Sequence, residues 1–358
     1  MKISFVLPGV SRVPVGGYKM IFEYANRLCR RGHEVTLIYH CLSGMKRNQK
    51  VPKIVKLIYY YLGAYYFPTW FTLDSRIHKI CKYKKLTNSK LPDSDIICAT
   101  AIDTAYAVAE LPESKGKKIY FIQDYEIWNG WTDVEVKKSY CLGMKNIVIA
   151  KWLQKIVKDA GASSVLIPNG IDFDVFDIDI PIPQRRQPII SMLYHKDEHK
   201  GSKYGIEALN RLKEQYPKLQ AILFGTPARP NNLPVWIRYI QNATQEQLRK
   251  IYNQSLIYLC PSIKEGFGLT GAEAMACGAA YVASDYGGVH EYTEEGRNVL
   301  LSEPRDVEGL VRNITDLLNH ENKRIVLAEN GYKDIKKMNW DRAVERFEHV
   351  IQQLNESH

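Results

Sequence analysis

Apolar residues in this chain fall into short β-rich runs that alternate with longer stretches of helical spacing. KISFVLPG predicts a strand, and GYKMIFEYANRLCRRG predicts an amphipathic helix closed by a glycine C-cap at Gly32. HEVTLIYH reads as the next strand. Further along come SDIICAT, a helix around TAYAVAEL, KKIYFIQD, NIVIA, the helical KWLQKIVKDAG and SSVLIPNG. Strands alternating with helices imply a parallel sheet covered on both faces.

After PNGIDFDVFDIDIPIPQ the pattern restarts, and PIPQRRQP, with Pro181, Pro183 and Pro188, reads as an exposed linker. The second series runs PIISMLYH, KYGIEALNRLKEQY, LQAILFG, QEQLRKIYNQ and SLIYLCPS, then AAYVASD, NVLLS and closing helices. The expected architecture is α/β, with two Rossmann-like, doubly wound domains over residues 1–170 and 171–340. In such sheets ligands gather at the carboxyl ends of the strands, where helices begin.

Composition narrows the classes. No apolar run reaches the roughly 18–20 residues of a membrane span. MKISFVLPGVS has too short an apolar core for a signal peptide. Seven scattered cysteines without a C-x-x-C pair suit a reduced, cytoplasmic protein. The net charge is +10, and most of it is local: Met45 to Leu86 holds ten basic residues against the single acid Asp74. That segment also carries the aromatic run YYYLGAYYFPTWF, Tyr59 to Phe71. Basic and aromatic residues over 46–85 suit an anionic membrane face, or else a solvated charged face over buried aromatic residues; no nucleic-acid motif accompanies them, so nucleic acid is not an expected partner. PGVSRVPVGGYKM lacks the GK[ST] ending of an ATP-binding loop. The histidines show no H-x-x-x-H on a predicted helix, so no metal is expected.

Candidate chemistry concentrates in EGFGLTGAEAMACG, residues 265–278. A strand hands over to a glycine-rich loop and a helix beginning near Gly268–Leu269. Helix N-termini carry free amides and partial positive charge, which suits phosphate. Glu265 before the helix and Glu273 one turn into it are placed to accept hydrogen bonds from hydroxyls. Hydroxyls, phosphate, hydroxyls describes a nucleotide-sugar. The bland alternative is a glycine-rich turn with Gly278 as a plain C-cap, and the neighbouring residues decide against it.

PSIKEGFGLTGAEAMACGAAYVASDYGGVHE, Pro261 to Glu291, resembles the donor-binding signature of family 4 retaining glycosyltransferases, which have the GT-B fold. PNGID (Pro168–Asp172), HKGSKYGIEAL (His199–Leu209), the N-terminal strand with its paired glycines, and NWDRAVERF match further motifs in the family's order. The resemblance implies two domains facing across a cleft, with residues 1–170 binding acceptor and 171–340 binding donor. The C-terminal helix, 341–358, would return toward the N-terminal domain. It assigns Glu273 to the ribose, Glu265 to the transferred sugar, and the loop amides of Gly266, Phe267, Gly268, Leu269 and Thr270 to the diphosphate. Lys200 would neutralise the leaving diphosphate, and Gly16 and Gly17 would cover the phosphates or meet the acceptor.

Two departures stand out. Where the family usually has an arginine before the lysine, SMLYHKDEHKG offers His195 and Lys196. Where many members place a histidine near the donor sugar, YFIQDYE stands instead, similar to a subgroup of polysaccharide rhamnosyltransferases; Asp124 is its candidate contact. The implied function is a metal-independent hexosyltransferase. It would move a sugar from a nucleotide-diphosphate donor (dTDP-rhamnose, or a UDP- or GDP-sugar) to a glycan or lipid-linked acceptor in bacterial surface polysaccharide synthesis. It would need no cofactor and would sit peripherally on the inner face of the cell membrane. An epimerase or phosphorylase on the same scaffold, or a non-catalytic assembly partner, stays open on sequence alone.

Overall fold

The computed structural model describes residues 1–41, 52–88, 91–127 and 130–356. Lys46, Arg47 and Lys50 of the basic segment lie outside the described residues, as does the Lys53 side chain. The chain divides into two compact units, residues 1–168 with 341–358, and residues 169–340.

The first unit is built on β1 (Lys2–Leu7), β2 (Glu34–His40), β3 (His78–Lys82), β4 (Ile96–Ala99), β5 (Lys117–Ile122), β6 (Lys145–Val148) and β7 (Ser164–Leu166). Its helices are α1 (Gly16–Arg30), α2 (Lys53–Tyr66), α3 (Ile102–Ala109), α4 (Asp133–Ser139) and α5 (Lys151–Asp159). The sheet is parallel in the order β3-β2-β1-β4-β5-β6-β7. Strands covered on both faces read as unbroken apolar runs, which is why Phe5, Val6, Ile96, Phe121 and Ile147 are all buried.

The second unit contains β8 (Ile189–Leu193), α6 (Ser202–Gln215), β9 (Gln220–Gly225), β10 (Ile237–Gln241), α7 (Gln245–Gln254), β11 (Ile257–Cys260), α8 (Leu269–Ala276), β12 (Ala280–Ser284), β13 (Leu300–Ser302), α9 (Val307–Asn319) and α10 (Glu321–Ile335). Its parallel sheet runs β10-β9-β8-β11-β12-β13 around a core of Ile190, Met192, Leu223, Ile257 and Val282. The last helix, α11 (Trp340–Glu356), carries Phe347 onto Phe5, with ring centroids 6.0 Å apart. On the same helix Glu348 accepts a 2.7 Å hydrogen bond from Arg31, so α11 closes the first unit.

The linker expected at PIPQRRQP is exposed at Pro181, Pro183, Gln184, Arg186 and Gln187, but Ile182 and Arg185 within it are buried. Arg185 donates to the carbonyl oxygens of Ile180 at 3.1 Å and Ser255 at 3.2 Å, and to that of Cys277. Ser255 and Cys277 cap the C-termini of α7 and α8, whose last carbonyls have no partner inside their own helices. A guanidinium with several donors satisfies both ends at once. Burial lowers its pKa to about 10, still well inside the charged range.

Candidate active site

Both sheets reverse strand order at one place, between β1 and β4 in the first unit and between β8 and β11 in the second. A crevice forms at the carboxyl ends of such strand pairs because the following helices diverge.

In the second unit β8 leads to His195 and a short turn, Glu198–Lys200, while β11 leads to Pro261–Gly268. Gly201, at φ 62°, lets this turn approach β11, since a Cβ there would run into the Pro261 carbonyl oxygen. The amides of Ile263 and Lys264 donate to the His199 carbonyl at 2.7 and 3.2 Å. This local docking brings the Lys200 ammonium to 3.4 Å from Glu265 Oε1. Ser262 Oγ donates to the same oxygen at 2.6 Å. Glu265 is buried and Lys200 partly so, hence the pair is far less screened than a surface ion pair. His195 feels both charges; burial first, and then the Lys200 charge, push its pKa down and leave the ring neutral near pH 7.

The helix start is shaped by what lies beneath it. Gly268 precedes α8 at φ 85°, and as the N-cap residue it supplies no side-chain cap to the helix's first amides. Tyr292 OH donates to the Gly268 carbonyl at 2.8 Å, and the Tyr281, Tyr286 and Tyr292 hydroxyls form a buried hydrogen-bonded triad. A Cβ on Gly268 would collide with Tyr286 OH, and one on Gly271 with Tyr281 OH. Gly288 packs as closely against the Glu265 and Gly266 carbonyls, and Glu265 pairs with Gly287 in an isolated β-bridge. Phe267 is buried on Tyr292, with centroids 5.1 Å apart, so only its backbone is turned to the loop surface. Thr270 Oγ1 accepts from Tyr258 OH at 2.7 Å. Glu273 is buried on α8, with Tyr252 OH 3.4 Å from its Oε2.

In the first unit Gly16 and Gly17 open α1, and a Cβ on Gly17 would stand 3.4 Å from Gln123 Nε2. Gly17 and the QDYE run therefore meet. Asp124, at the end of β5, is half-buried and accepts the Tyr125 amide at 2.7 Å. The more perturbed carboxyl is Glu126, buried against the start of α3, where its Oε2 accepts the Ile102 amide at 3.0 Å. Burial, reinforced by Asp124 and Asp103, pushes its pKa up to about 8. Beside it Trp131 donates to Asp103 at 3.1 Å and stacks on Tyr106, with centroids 5.5 Å apart and planes 7° off parallel.

Lys200, Glu265 and His195 thus share one neighbourhood in the second unit, with Gly266–Thr270 and Glu273 on the adjoining loop and helix. Asp124, Gly16 and Gly17 belong to the first unit. Sequence reasoning missed Ser262, Glu126 and the tyrosine triad; YFIQDYE held Glu126, but nothing in the string marks it as buried. Among the described residues no group of three or more His, Cys, Asp or Glu could hold a metal ion.

Residues 177–334 match the family described as Glycosyl transferases group 1. An uncharacterized glycosyltransferase of Methanocaldococcus jannaschii is 31% identical over 126 residues, 35% of this chain and 36% of that protein. The O-antigen chain mannosyltransferase B of Escherichia coli is 31% identical over 106 residues, 30% of this chain and 27% of that protein. Each match spans well under half of the relative's length. Among solved structures, Anabaena HepE in complex with UDP-glucose superposes with a TM-score of 0.73 at 15% identity, over 99% of this chain and 100% of that one. The chain has the two-sheet GT-B fold, and its residues 177–334 are similar to the group 1 glycosyltransferases.

Proposed function

We propose that this protein is a hexosyltransferase that moves a sugar from a nucleotide-diphosphate donor to a glycan or lipid-linked acceptor, with retention of anomeric configuration. The observation that carries the reading is the α8 start, whose N-cap is a glycine and which is set between the buried carboxylates Glu265 and Glu273, with Lys200 paired to the first. Free amides suit the diphosphate. Glu273 suits ribose hydroxyls, and Glu265 the hydroxyls of the transferred sugar. Charge developing on the leaving diphosphate meets Lys200 and the helix N-terminus, fixed in place before the reaction starts. These groups supply the positive charge without a metal, and the departing phosphate oxygen takes the acceptor proton. Asp124 would contact the acceptor or the transferred sugar, and Gly16 and Gly17 would cover the phosphates or meet the acceptor.

Support for the donor class comes from a structural neighbour solved with UDP-glucose. Support for surface polysaccharide as the product comes from a relative that builds O-antigen chains. Rhamnose, from dTDP-rhamnose, is the narrowest form of the proposal and rests on the QDYE run alone. An anionic membrane face completes it, as the place where a lipid-linked acceptor is met; among the described residues no helix is long and apolar enough to cross a membrane.

The test is turnover of a panel of nucleotide-sugars with lipid-linked glycan acceptors, followed by proton NMR of the product. Acceptor-dependent release of nucleoside diphosphate with the donor's anomeric configuration in the product supports the reading. Inversion would overturn the stereochemistry. An altered sugar-nucleotide formed without acceptor would make the protein an epimerase instead.

A further inference from the structure

Helix α2 is built inside out. Its buried positions include Gly63, Ala64 and Lys56. Its large apolar residues face solvent: Ile54 is 63% exposed, Ile58 53%, Tyr61 69%, Leu62 47%, Tyr65 72% and Tyr66 64%. At 100° per residue these six share one side of the helix, opposite Gly63 and Lys56. Small residues let the helix lie against the loop after β1, where Val10 comes within 3.6 Å of a Cβ built on Gly63. A globular protein turns the large side chains of such a helix inward; an exposed apolar surface of this extent marks a binding face.

Charge selects the occupant. The Arg12 guanidinium carbon sits 3.6 Å from the Tyr59 ring centroid, and Lys79 donates to the Tyr65 carbonyl at the helix's C-terminal end. Met45 to Leu86 has only one acid, Asp74, and Arg76 engages it at 2.9 and 2.7 Å. A second copy seated on this face would bring one strongly positive segment against another. A leaflet of anionic lipid offers the opposite charge to the cations and a hydrocarbon boundary to the apolar side chains. Tyrosine rings suit that depth, because the ring is apolar and the hydroxyl reaches the headgroups.

We infer that α2 lies in the plane of an anionic membrane with its Ile54–Tyr66 face inserted among the lipids. This rests on the membrane reading above and adds that insertion of apolar side chains, and not charge alone, holds the protein there. The opposite side of α2, at Gly63, packs on Val10 of the loop that leads into Gly16, so the membrane contact is carried close to the expected acceptor side of the first unit.

The test is flotation of the full chain with vesicles of phosphatidylcholine alone or mixed with phosphatidylglycerol. Its key variant is Ile58→Ser/Leu62→Ser/Tyr65→Ser, with unfolding temperature checked because all three side chains are exposed. We expect wild type to float with the anionic vesicles, and the triple variant to lose at least tenfold in bound fraction while keeping its fold and its donor turnover. If the triple variant floats like wild type while Lys46→Glu/Arg47→Glu/Lys50→Glu/Lys53→Glu sinks, insertion is wrong and the membrane reading survives. If wild type never floats, both fail. If wild type is a dimer in solution that the triple variant converts to a monomer, the occupant is a second copy and the inference is overturned.

Discussion

The Lys200 ammonium stands 3.4 Å from Glu265 Oε1, the same oxygen that accepts the Ser262 hydroxyl at 2.6 Å. One carboxylate thus fixes the cation expected to meet the leaving diphosphate. Removing fixed positive charge from such a site costs rate more than binding. Lys200→Ala is expected to lower kcat by about 10²–10³ with a much smaller change in KM. Lys200→Arg should recover part of the loss. Steady-state donor turnover measures both, and a change confined to KM would remove Lys200 from the chemistry.

The tyrosine triad and the glycines above it form a single packed unit. Gly271→Ala pushes a methyl into the Tyr281 hydroxyl and should destabilise by about 1–3 kcal/mol. Tyr281→Phe removes the nearest of the atoms such a methyl meets, leaving ring Cζ at 2.5 Å, and costs about 1 kcal/mol for the lost hydrogen bond. The double variant should therefore be more stable than the sum of the two losses predicts. Denaturant unfolding of all four proteins gives the coupling; strict additivity would mean the two residues do not press on each other.

Glu126 sets a pH signature on stability. Its folded pKa of about 8 lies above the ordinary carboxyl value, so the fold favours the protonated form. Between the two values the unfolded chain has lost this proton and the folded chain has kept it. Its contribution is present in full at acid pH and disappears as pH rises through about 8, a loss of a few kcal/mol at about 1.4 kcal/mol per pKa unit. Glu126→Gln keeps the shape and cannot ionise. Its unfolding temperature should fall less than that of wild type between pH 5 and 9; parallel curves would contradict the assignment.

Arg185 lies at the far end of α8 from the signature loop. Arg185→Ala leaves buried carbonyls on α7 and α8 without a donor and opens a cavity, at a cost of about 2–4 kcal/mol. Thermal unfolding should shift down sharply, while donor affinity measured well below the transition stays close to wild type. A large loss of affinity in the folded variant would show that the two ends of α8 are coupled.

Both sheets were legible because parallel strands buried on two faces leave continuous apolar runs such as FVL, ILF and IYL. The α8 loop was legible because glycines between carboxylates have few other uses next to a strand. Helix α2 was not predicted, since KIVKLIYYYLGAYY is apolar at most positions and has too few polar residues to mark a helical period. Strand β10 was missed as well: it is a short edge strand whose middle residues are only half-buried, and IRYIQ lacks a clear apolar run. The linker misled because prolines announce an exposed turn, while Arg185 within it answers carbonyls contributed from distant Ser255 and Cys277. In the QDYE run the carboxyl that burial perturbs is Glu126, because the α3 amide it reaches lies 24 residues away in sequence.

The most direct test of the central claim is the thermal shift of wild type and Glu273→Ala with a panel of nucleotide-diphosphate sugars. A ligand bound only by the folded protein adds about 2.7 kcal/mol of stability at a hundredfold excess over its Kd. At least one donor should raise the unfolding temperature of wild type by a few degrees, and Glu273→Ala should lose that shift while remaining folded. A flat response of wild type to every donor, or an equal shift in the variant, would contradict the account.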